Sequence, residues 1–568
     1  MQELRTALQV RLTASATPGQ VPGGPSLAYV LGAVVTFFLV LSAVTGLALS
    51  FFYAPSVTDA WASVAYLEDQ VTWGWLVRGL HLHGASALVI ACGLHLAQTA
   101  WLGAYRRPRE LTWFAGLGLM LLVLGFTITG FVLRWDQAGY WASKVEVGIA
   151  AATPVVGDLV QKLAQGGNDY GNLTLTRFHA LHVGLLPALT LGLVGAHVWL
   201  ARRHGVTPRR RQGAGASPWW PAQTVRNLVA VALAFAALLA VVVSTGGAGL
   251  EAPADPTAAY DARPLWYFRW LFLLRKLMGP WETVAALIIP GLVLGFLVAM
   301  PLLDRTPAQG QGSPRRRRLV LATFFALCAG ITALTAASLA RDAGDAEHGK
   351  QVAKAEAQAT RARRLARTYG VPPAGGLAVY QTVPMWRGRA LWETQCKDCH
   401  QGKDRKGPLI EAGYGSRAWI ARFFADPGGD EFYGRNKVAK SEGAMKPVEL
   451  TGEPLAEMVE LVYAESGAAD ADRGRAQKAL PAFEEQCSDC HSREEGVSSS
   501  GPALARRGSL DHLVQFIGNP TAPIHLGEAA EMPRFDKDLS MVDREALAQY
   551  LLWLRTATAA DVAGLEPL

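Results

Sequence analysis

Long runs of apolar residues, punctuated by arginine clusters and turn residues, dominate the first 340 or so positions of this 568-residue chain. Runs longer than about 18 apolar residues read as membrane helices. Seven are present, at approximately 27–53, 79–105, 111–133, 178–201, 227–250, 283–303 and 319–340. Soluble core helices rarely stay free of charge for so long. Beyond residue 340 the pattern changes to short amphipathic helices separated by Gly, Pro and Asp, as in ordinary soluble domains. The chain is thus expected to be mainly α: a seven-helix membrane bundle followed by small all-α units.

Composition and charge refine this picture. Half the residues are hydrophobic and 18% are charged, and the mean hydropathy of +0.16 averages over two unlike parts. The first 26 residues lack a short apolar segment with a cleavage site, so the first span is expected to act as an uncleaved insertion signal. Arginines fall in alternate loops: Arg106, Arg107 and Arg109; then Arg202, Arg203, Arg209, Arg210 and Arg211; then Arg315, Arg316, Arg317 and Arg318. By the positive-inside rule that side is cytoplasmic. The N-terminus is then cytoplasmic and the C-terminal part extracytoplasmic, in a bacterial inner membrane. These loops account for much of the pI near 9.1, which gives no reason to expect nucleic-acid binding.

Four of the six cysteines lie in two short motifs. Cys396-Lys397-Asp398-Cys399-His400 and Cys487-Ser488-Asp489-Cys490-His491 both read C-x-x-C-H. Two thiols on one helical turn can bond both haem vinyl groups, and the adjacent histidine reaches the iron. A redox C-x-x-C, a disulfide or half a zinc site would not require a histidine at that place twice. The flanks repeat as well. Arg387-Gly388-Arg389-Ala390 and Arg473-Gly474-Arg475-Ala476 precede the motifs, Gly407-Pro408 and Gly501-Pro502 follow them, and each repeat closes with a helix carrying Tyr463 or Tyr550. This resembles the class I cytochrome c fold. The resemblance implies a methionine as sixth ligand: Met445 for the first haem and Met532, in Glu531-Met532-Pro533, for the second, with His525 as a competitor. Met458 reads as core. Covalent haem attachment outside the cytoplasm agrees with the charge bias. Cys92 and Cys328 read as buried thiols within spans.

Spans two and four each hold a histidine pair. His81 and His95 are 14 apart, and His182 and His197 are 15 apart. At 1.5 Å per residue the members of each pair are separated by about 21 Å along the helix and return to roughly one face. Two such helices facing each other would clamp two stacked haems, His81 with His182 on the outer side and His95 with His197 on the inner. Intramembrane polar groups are functional by default. His83 and His179 lack partners at this spacing and read as interfacial or propionate neighbours. Gly32 and Gly46 in span one, and Gly116 and Gly130 in span three, repeat the 14-residue period and leave room for a haem at each level.

Residues 27–205 resemble the four-helix part of cytochrome b, nearest to the shorter form in chloroplast and cyanobacterial cytochrome bf complexes. The resemblance rests on Gly74-Trp75-Leu76-Val77-Arg78, Arg107-Pro108-Arg109-Glu110-Leu111-Thr112-Trp113, Trp135-Asp136-Gln137 with Gly139-Tyr140-Trp141, Leu175-Thr176-Arg177-Phe178, and the 15-residue spacing in span four. The expected organisation is a cytoplasmic segment 1–26, a dihaem cytochrome b domain 27–215, a three-helix membrane domain 216–340 like the separate subunit of bf complexes, a helical or flexible tether 341–378, and cytochrome c domains 379–469 and 470–568. The family implies two non-covalent b haems beside the two covalent c haems. It also implies a quinol:cytochrome c oxidoreductase complex, in contact with the quinone pool and dimeric. Quinol is oxidised at an outer site, one electron passing by a Rieske iron–sulfur protein to c haem and on to a soluble or membrane cytochrome. The other passes through the b haems to quinone near the cytoplasmic face. Arg78 and Arg177 are propionate candidates.

Two departures bear on function. Span one has Phe37 and Phe38 where the bf branch attaches an extra haem through a cysteine, which predicts no covalent third haem in the membrane. The family's quinol-site Pro-Glu-Trp-Tyr is here Pro264-Leu265-Trp266-Tyr267, and leucine cannot accept a proton. The outer site is expected to use these residues with Asp136 and Tyr140, and Asp136, Glu146 or Asp261 is expected to replace the missing glutamate. The alternative is a non-bifurcating conduit between the quinone pool and an outside partner. A haem-based sensor is disfavoured by the lack of a signalling module.

Overall fold

The computed structural model describes residues 20–151, 153, 157–167, 169–205, 207, 215–304, 314–440, 444–494, 497 and 500–564. Arg209, Arg210 and Arg211, and the first 19 residues of the N-terminal segment, lie outside them. The chain divides into two compact units, Met1–Val379 and Tyr380–Leu568.

The described residues of the first unit form helices and a two-residue antiparallel pairing of Gln20–Val21 with Ser217–Pro218. In order its helices are α1 (Leu31–Ser50), α2 (Ala60–Asp69), α3 (Gly74–Leu102), α4 (Glu110–Val132), α5 (Gln137–Ala151), α6 (Gly157–Gln165), α7 (Asn172–His179), α8 (Leu186–His204), α9 (Ala222–Ser244), α10 (Arg269–Met278), α11 (Glu282–Leu303), α12 (Pro314–Gly344) and α13 (Ala346–Tyr369). Among the described residues seven helical stretches are long and apolar enough to cross a membrane: α1, α3, α4, α7 running on into α8, α9, Trp266–Leu303 and α12. They leave large apolar side chains such as Leu191, Leu233 and Leu292 exposed. Lipid tolerates such faces, whereas the backbone polar groups must be satisfied within each helix.

Helix α3 is bounded by left-handed residues, Trp73 before it and Gly103 (φ +71°) after it, so its 29 residues form one uninterrupted rod. The fourth span is not uniform. Between α7 and α8, residues Ala180–Leu185 form a widened π turn. A π turn carries one residue more than an α turn. It therefore absorbs the difference between the 15-residue spacing of His182 and His197 and the 14-residue spacing on α3.

The segment expected to be a tether is helical and docked. Ala362, Leu365 and Ala366 of α13 are buried, and Arg363 and Arg367 both hold Asp69 of α2, Arg367 at 2.8 Å.

The second unit contains α14 (Pro384–Leu391), α15 (Lys397–His400), α16 (Arg417–Ala425), α17 (Gly452–Glu465), α18 (Arg473–Lys478), α19 (Leu480–Gln486), α20 (Leu510–Gly518), α21 (Met541–Leu554) and α22 (Ala559–Gly564). Its described residues form two hydrophobic cores, and neither is drawn from one sequence repeat alone. Trp392, Cys396 and Ile410 pack with Leu513, Ile517, Leu547, Tyr550 and Leu554. Ile420, Phe424, Met458 and Tyr463 pack with Ala476, Ala479 and Phe483. The expected tandem of domains 379–469 and 470–568 thus differs from the packing. The first half of each repeat packs on the second half of the other.

Candidate functional site

The histidine rings of α3 and the fourth span meet between the helices. His81 and His182 have ring centroids 6.2 Å apart with planes at 77°. Imidazole–metal bonds run about 2 Å and the ring centroid lies about 1 Å beyond the nitrogen, so two imidazoles sharing one metal have centroids roughly 6 Å apart. The ring Nδ1 of His81 is 3.0 Å from Thr45 Oγ1, and that of His182 is 3.0 Å from Thr129 Oγ1. Each threonine hydroxyl already donates to its own helix, to Leu41 O at 2.7 Å and to Gly125 O at 2.8 Å. It can therefore accept Nδ1–H, leaving Nε2 toward the facing ring. One level further along, His95 Nδ1 lies 3.3 Å from Gln98 Oε1.

The four glycines correspond one to one with the four histidines. A Cβ on Gly46 would lie 2.9 Å from His81 Cε1, and one on Gly130 2.7 Å from His182 Cε1. On Gly116 it would lie 3.2 Å from His197 Cε1, and on Gly32 3.8 Å from His95 Cε1. These glycines were expected to make room for a haem edge. The space they leave is taken first by the imidazole that each helix backs. Thr45 and Thr129, each directly before a glycine, were missed; the repeated Thr-Gly pair was the available signal.

Chain comparison agrees with this geometry. A family model described as "Cytochrome b/b6/petB" matches residues 17–205. Cytochrome b6 of Rippkaea orientalis is 40% identical over 191 residues, which is 34% of this chain and 86% of that protein. Cytochrome b6 of Tupiella akineta is 40% identical over 187 residues, 33% of this chain and 87% of that protein. The chain belongs to the cytochrome b/b6 family. A solved "Hyperthermophilic respiratory Complex III" chain, 24% identical, superposes with a TM-score of 0.50 over 59% of this chain and 89% of that one, which concerns the fold. A second family model, "Cytochrome C oxidase, cbb3-type, subunit III", matches residues 474–551. The protein is therefore a multi-pass membrane cytochrome b/c fusion with an electron-transfer role, carrying haem b and haem c.

In the cytochrome c part, His400 Nδ1 lies 2.8 Å from Pro408 O and His491 Nδ1 2.9 Å from Pro502 O. Each proximal ring is thereby oriented with Nε2 free. A Cβ on Gly407 would lie 2.7 Å from His400 Cε1, and one on Gly501 2.8 Å from His491 Cε1. Cys396 is buried, Cys487 half-buried, and Cys399 and Cys490 are exposed. Burial pushes the Cys396 thiol up to about 12, unlike an activated redox thiolate. Met532 packs on the core of Cys396 and Met445 on that of Phe483 and Cys487. The pairing of each methionine with the motif of its own repeat is not what the packing brings together. His525 turns its ring onto His512, centroids 5.2 Å apart, and Met458 is core.

On the quinol side, the loop after α9 lies against the α4–α5 connection. Gln137 N donates to Ala252 O at 3.0 Å and Ala254 N to Trp135 O at 3.1 Å. Asp136 is fully buried; it accepts from Gly139 N at 2.9 Å and Glu251 N at 3.1 Å and pairs with Arg134 at 3.1 Å. Tyr140 is buried among Trp135, Trp141 and Tyr170. Pro264 and Leu265 lead into the turn Trp266–Phe268, where Trp266 Nε1 donates to Ser86 Oγ at 3.4 Å and Tyr267 packs on Leu88 and its neighbours.

Of the three carboxylates considered, Asp136 is consumed by the loop and Asp261 pairs with Arg263 and His348. Glu146 is different. Its Oε1 is buried without a hydrogen-bond partner, and burial pushes its carboxyl up to about 8. Glu251 nearby accepts the Tyr260 hydroxyl at 2.9 Å.

Arg78 is buried and held by Glu68 at 2.7 Å and Gly249 O at 2.8 Å. Arg177 donates to the carbonyls of Lys162 and Leu163. His83 is 2.9 Å from Gly247 O, and His179 stacks on Tyr53.

Proposed function

We propose that this chain is the cytochrome b/c subunit of a quinol:cytochrome c oxidoreductase. His81 and His182 hold the outer b haem, His95 and His197 the inner one, and Cys396, Cys399, His400 and Cys487, Cys490, His491 hold two c haems. When bound, these groups supply one-electron carriers; the residues orient them. Quinol binds on the outer side, between the α4–α5 connection and Pro264–Tyr267. Its two electrons divide between a Rieske partner that feeds the c haems and the b-haem pair. Glu146 takes one of the two protons, in place of the glutamate that is missing at position 265.

The observation that carries this reading is the facing of His81 and His182 at 6.2 Å. Orientation follows the arginine loops, with the N-terminus cytoplasmic and the C-terminal unit outside. The test is haem analysis of the purified complex with quinol-dependent cytochrome c reduction. Two b and two c haems per chain, with inhibitor-sensitive reduction, are expected. A single b haem, or no quinol-dependent reduction, contradicts the reading.

A further inference from the structure

The two sequence repeats share a pattern, so each C-x-x-C-H motif could be completed by either ligand loop. The packing distinguishes them. Helix α14, ahead of the first motif, crosses the closing helix of the second repeat. Gly388 lies directly on the Ala546 backbone, and a Cβ there would overlap it and come within 2.8 Å of Tyr550 Cβ. A bare backbone contact of this kind is possible only at glycine.

The contact is reinforced around it. Arg387 pairs with Asp543 at 2.7 Å, and Gly413 N donates to Leu554 O at 2.7 Å. Trp392 stands between the proximal ring and that helix, 5.8 Å from His400 and 6.3 Å from Tyr550. Met532 packs on this same core, and its loop is pinned by Phe535 N donating to Gly518 O at 3.1 Å.

The second motif shows the mirror arrangement. Helix α18, ahead of it, packs on α17, the closing helix of the first repeat. Glu460 accepts from Asp472 N at 2.7 Å, and Arg475 reaches Glu453 at 2.9 Å. Met445 packs on that core, and its loop is pinned by Val448 N donating to Phe424 O at 2.8 Å. The two ligand loops are themselves neighbours, with Lys437 N donating to Glu531 at 3.3 Å.

We propose that the sixth ligands are exchanged between the repeats: Met532 completes the iron site of Cys396, Cys399 and His400, and Met445 that of Cys487, Cys490 and His491. The proposal rests on both motifs carrying haem. The unit is an intramolecular swap of equivalent halves, so neither repeat holds a complete haem site by itself.

The test uses the full chain with Cys487→Ser and Cys490→Ser, so that one c haem remains. Adding Met532→His is expected to abolish the long-wavelength methionine–iron charge-transfer band and lower the midpoint potential. Adding Met445→His is expected to leave both unchanged. Any other pattern overturns the exchange. If the double cysteine variant binds no haem at all, the haem reading itself fails, which is a separate outcome.

A second measurement does not depend on those variants. A protease site is placed between α17 and α18 in the otherwise intact chain, and membranes are cleaved. Exchange predicts that the fragment from Arg473 onward stays on the membrane, interlocked with the part before it. Its release with a haem showing the methionine–iron band overturns the proposal.

Discussion

His81 and His182 face each other across the bundle with ring centroids 6.2 Å apart, and each ring backs onto a glycine of a neighbouring helix. This arrangement makes the outer level sensitive to very small changes. Gly130→Ala puts a methyl 2.7 Å from His182 Cε1, closer than carbon atoms approach without displacement. The expected result is loss of the outer b haem with the inner one retained, read by redox-resolved spectra. Gly93→Ala, where a Cβ meets nothing within 4 Å, leaves both.

Thr129→Val removes the acceptor for His182 Nδ1–H while keeping the side-chain shape. Loss of such an outer partner costs roughly 10–100-fold in affinity for the bound metal group. A less basic imidazole also favours the reduced iron, so the outer b midpoint rises. A redox titration that finds the inner haem shifted instead contradicts the placement of His182.

Glu146 should give quinol oxidation its pH dependence. Its carboxyl is pushed up to about 8 by burial, so below that pH it is protonated and cannot accept a proton. Turnover rises with pH and levels off above about 8. Glu146→Gln removes that rise and slows turnover by roughly 10²-fold or more. Adding Leu265→Glu to the Gln variant restores part of the rate with a midpoint at lower pH. Wild-type kinetics in Glu146→Gln would assign the proton elsewhere.

Arg78 and Glu68 form a buried pair, with side chains 7% and 2% exposed. Removing one partner leaves an uncompensated buried charge, at about 3–5 kcal/mol. Arg78→Leu therefore lowers the thermal midpoint of the detergent-solubilised protein more than Arg78→Leu with Glu68→Leu does. Equal losses in the two variants would mean that the charge pair is immaterial.

The parts most legible in the sequence were those with a fixed period. Seven apolar runs, two histidine pairs 14 and 15 apart, two glycine pairs 14 apart, and two C-x-x-C-H motifs each carry their geometry in the numbering. The π turn at Ala180–Leu185 was announced by one extra residue between His182 and His197, though not its location. The exchanged cores were hidden because Arg387-Gly388-Arg389-Ala390 and Arg473-Gly474-Arg475-Ala476 are equivalent by pattern, and pattern does not say which closing helix a glycine meets. The partner of Arg78, Glu68, lies on another helix, and sequence spacing does not bring the two together. Glu146 stood among three candidates until the pairing of Asp136 and Asp261 set it apart.

Division of quinol's two electrons at the outer site, with leucine at position 265, can be tested directly. Membranes given quinol and an inner-site inhibitor are pulsed with an oxidant that acts on the c haems, and the b haems are followed optically. The expected result is that the b haems become more reduced while the c haems are oxidised. If b and c haems oxidise together, the chain is a linear conduit and the division does not occur.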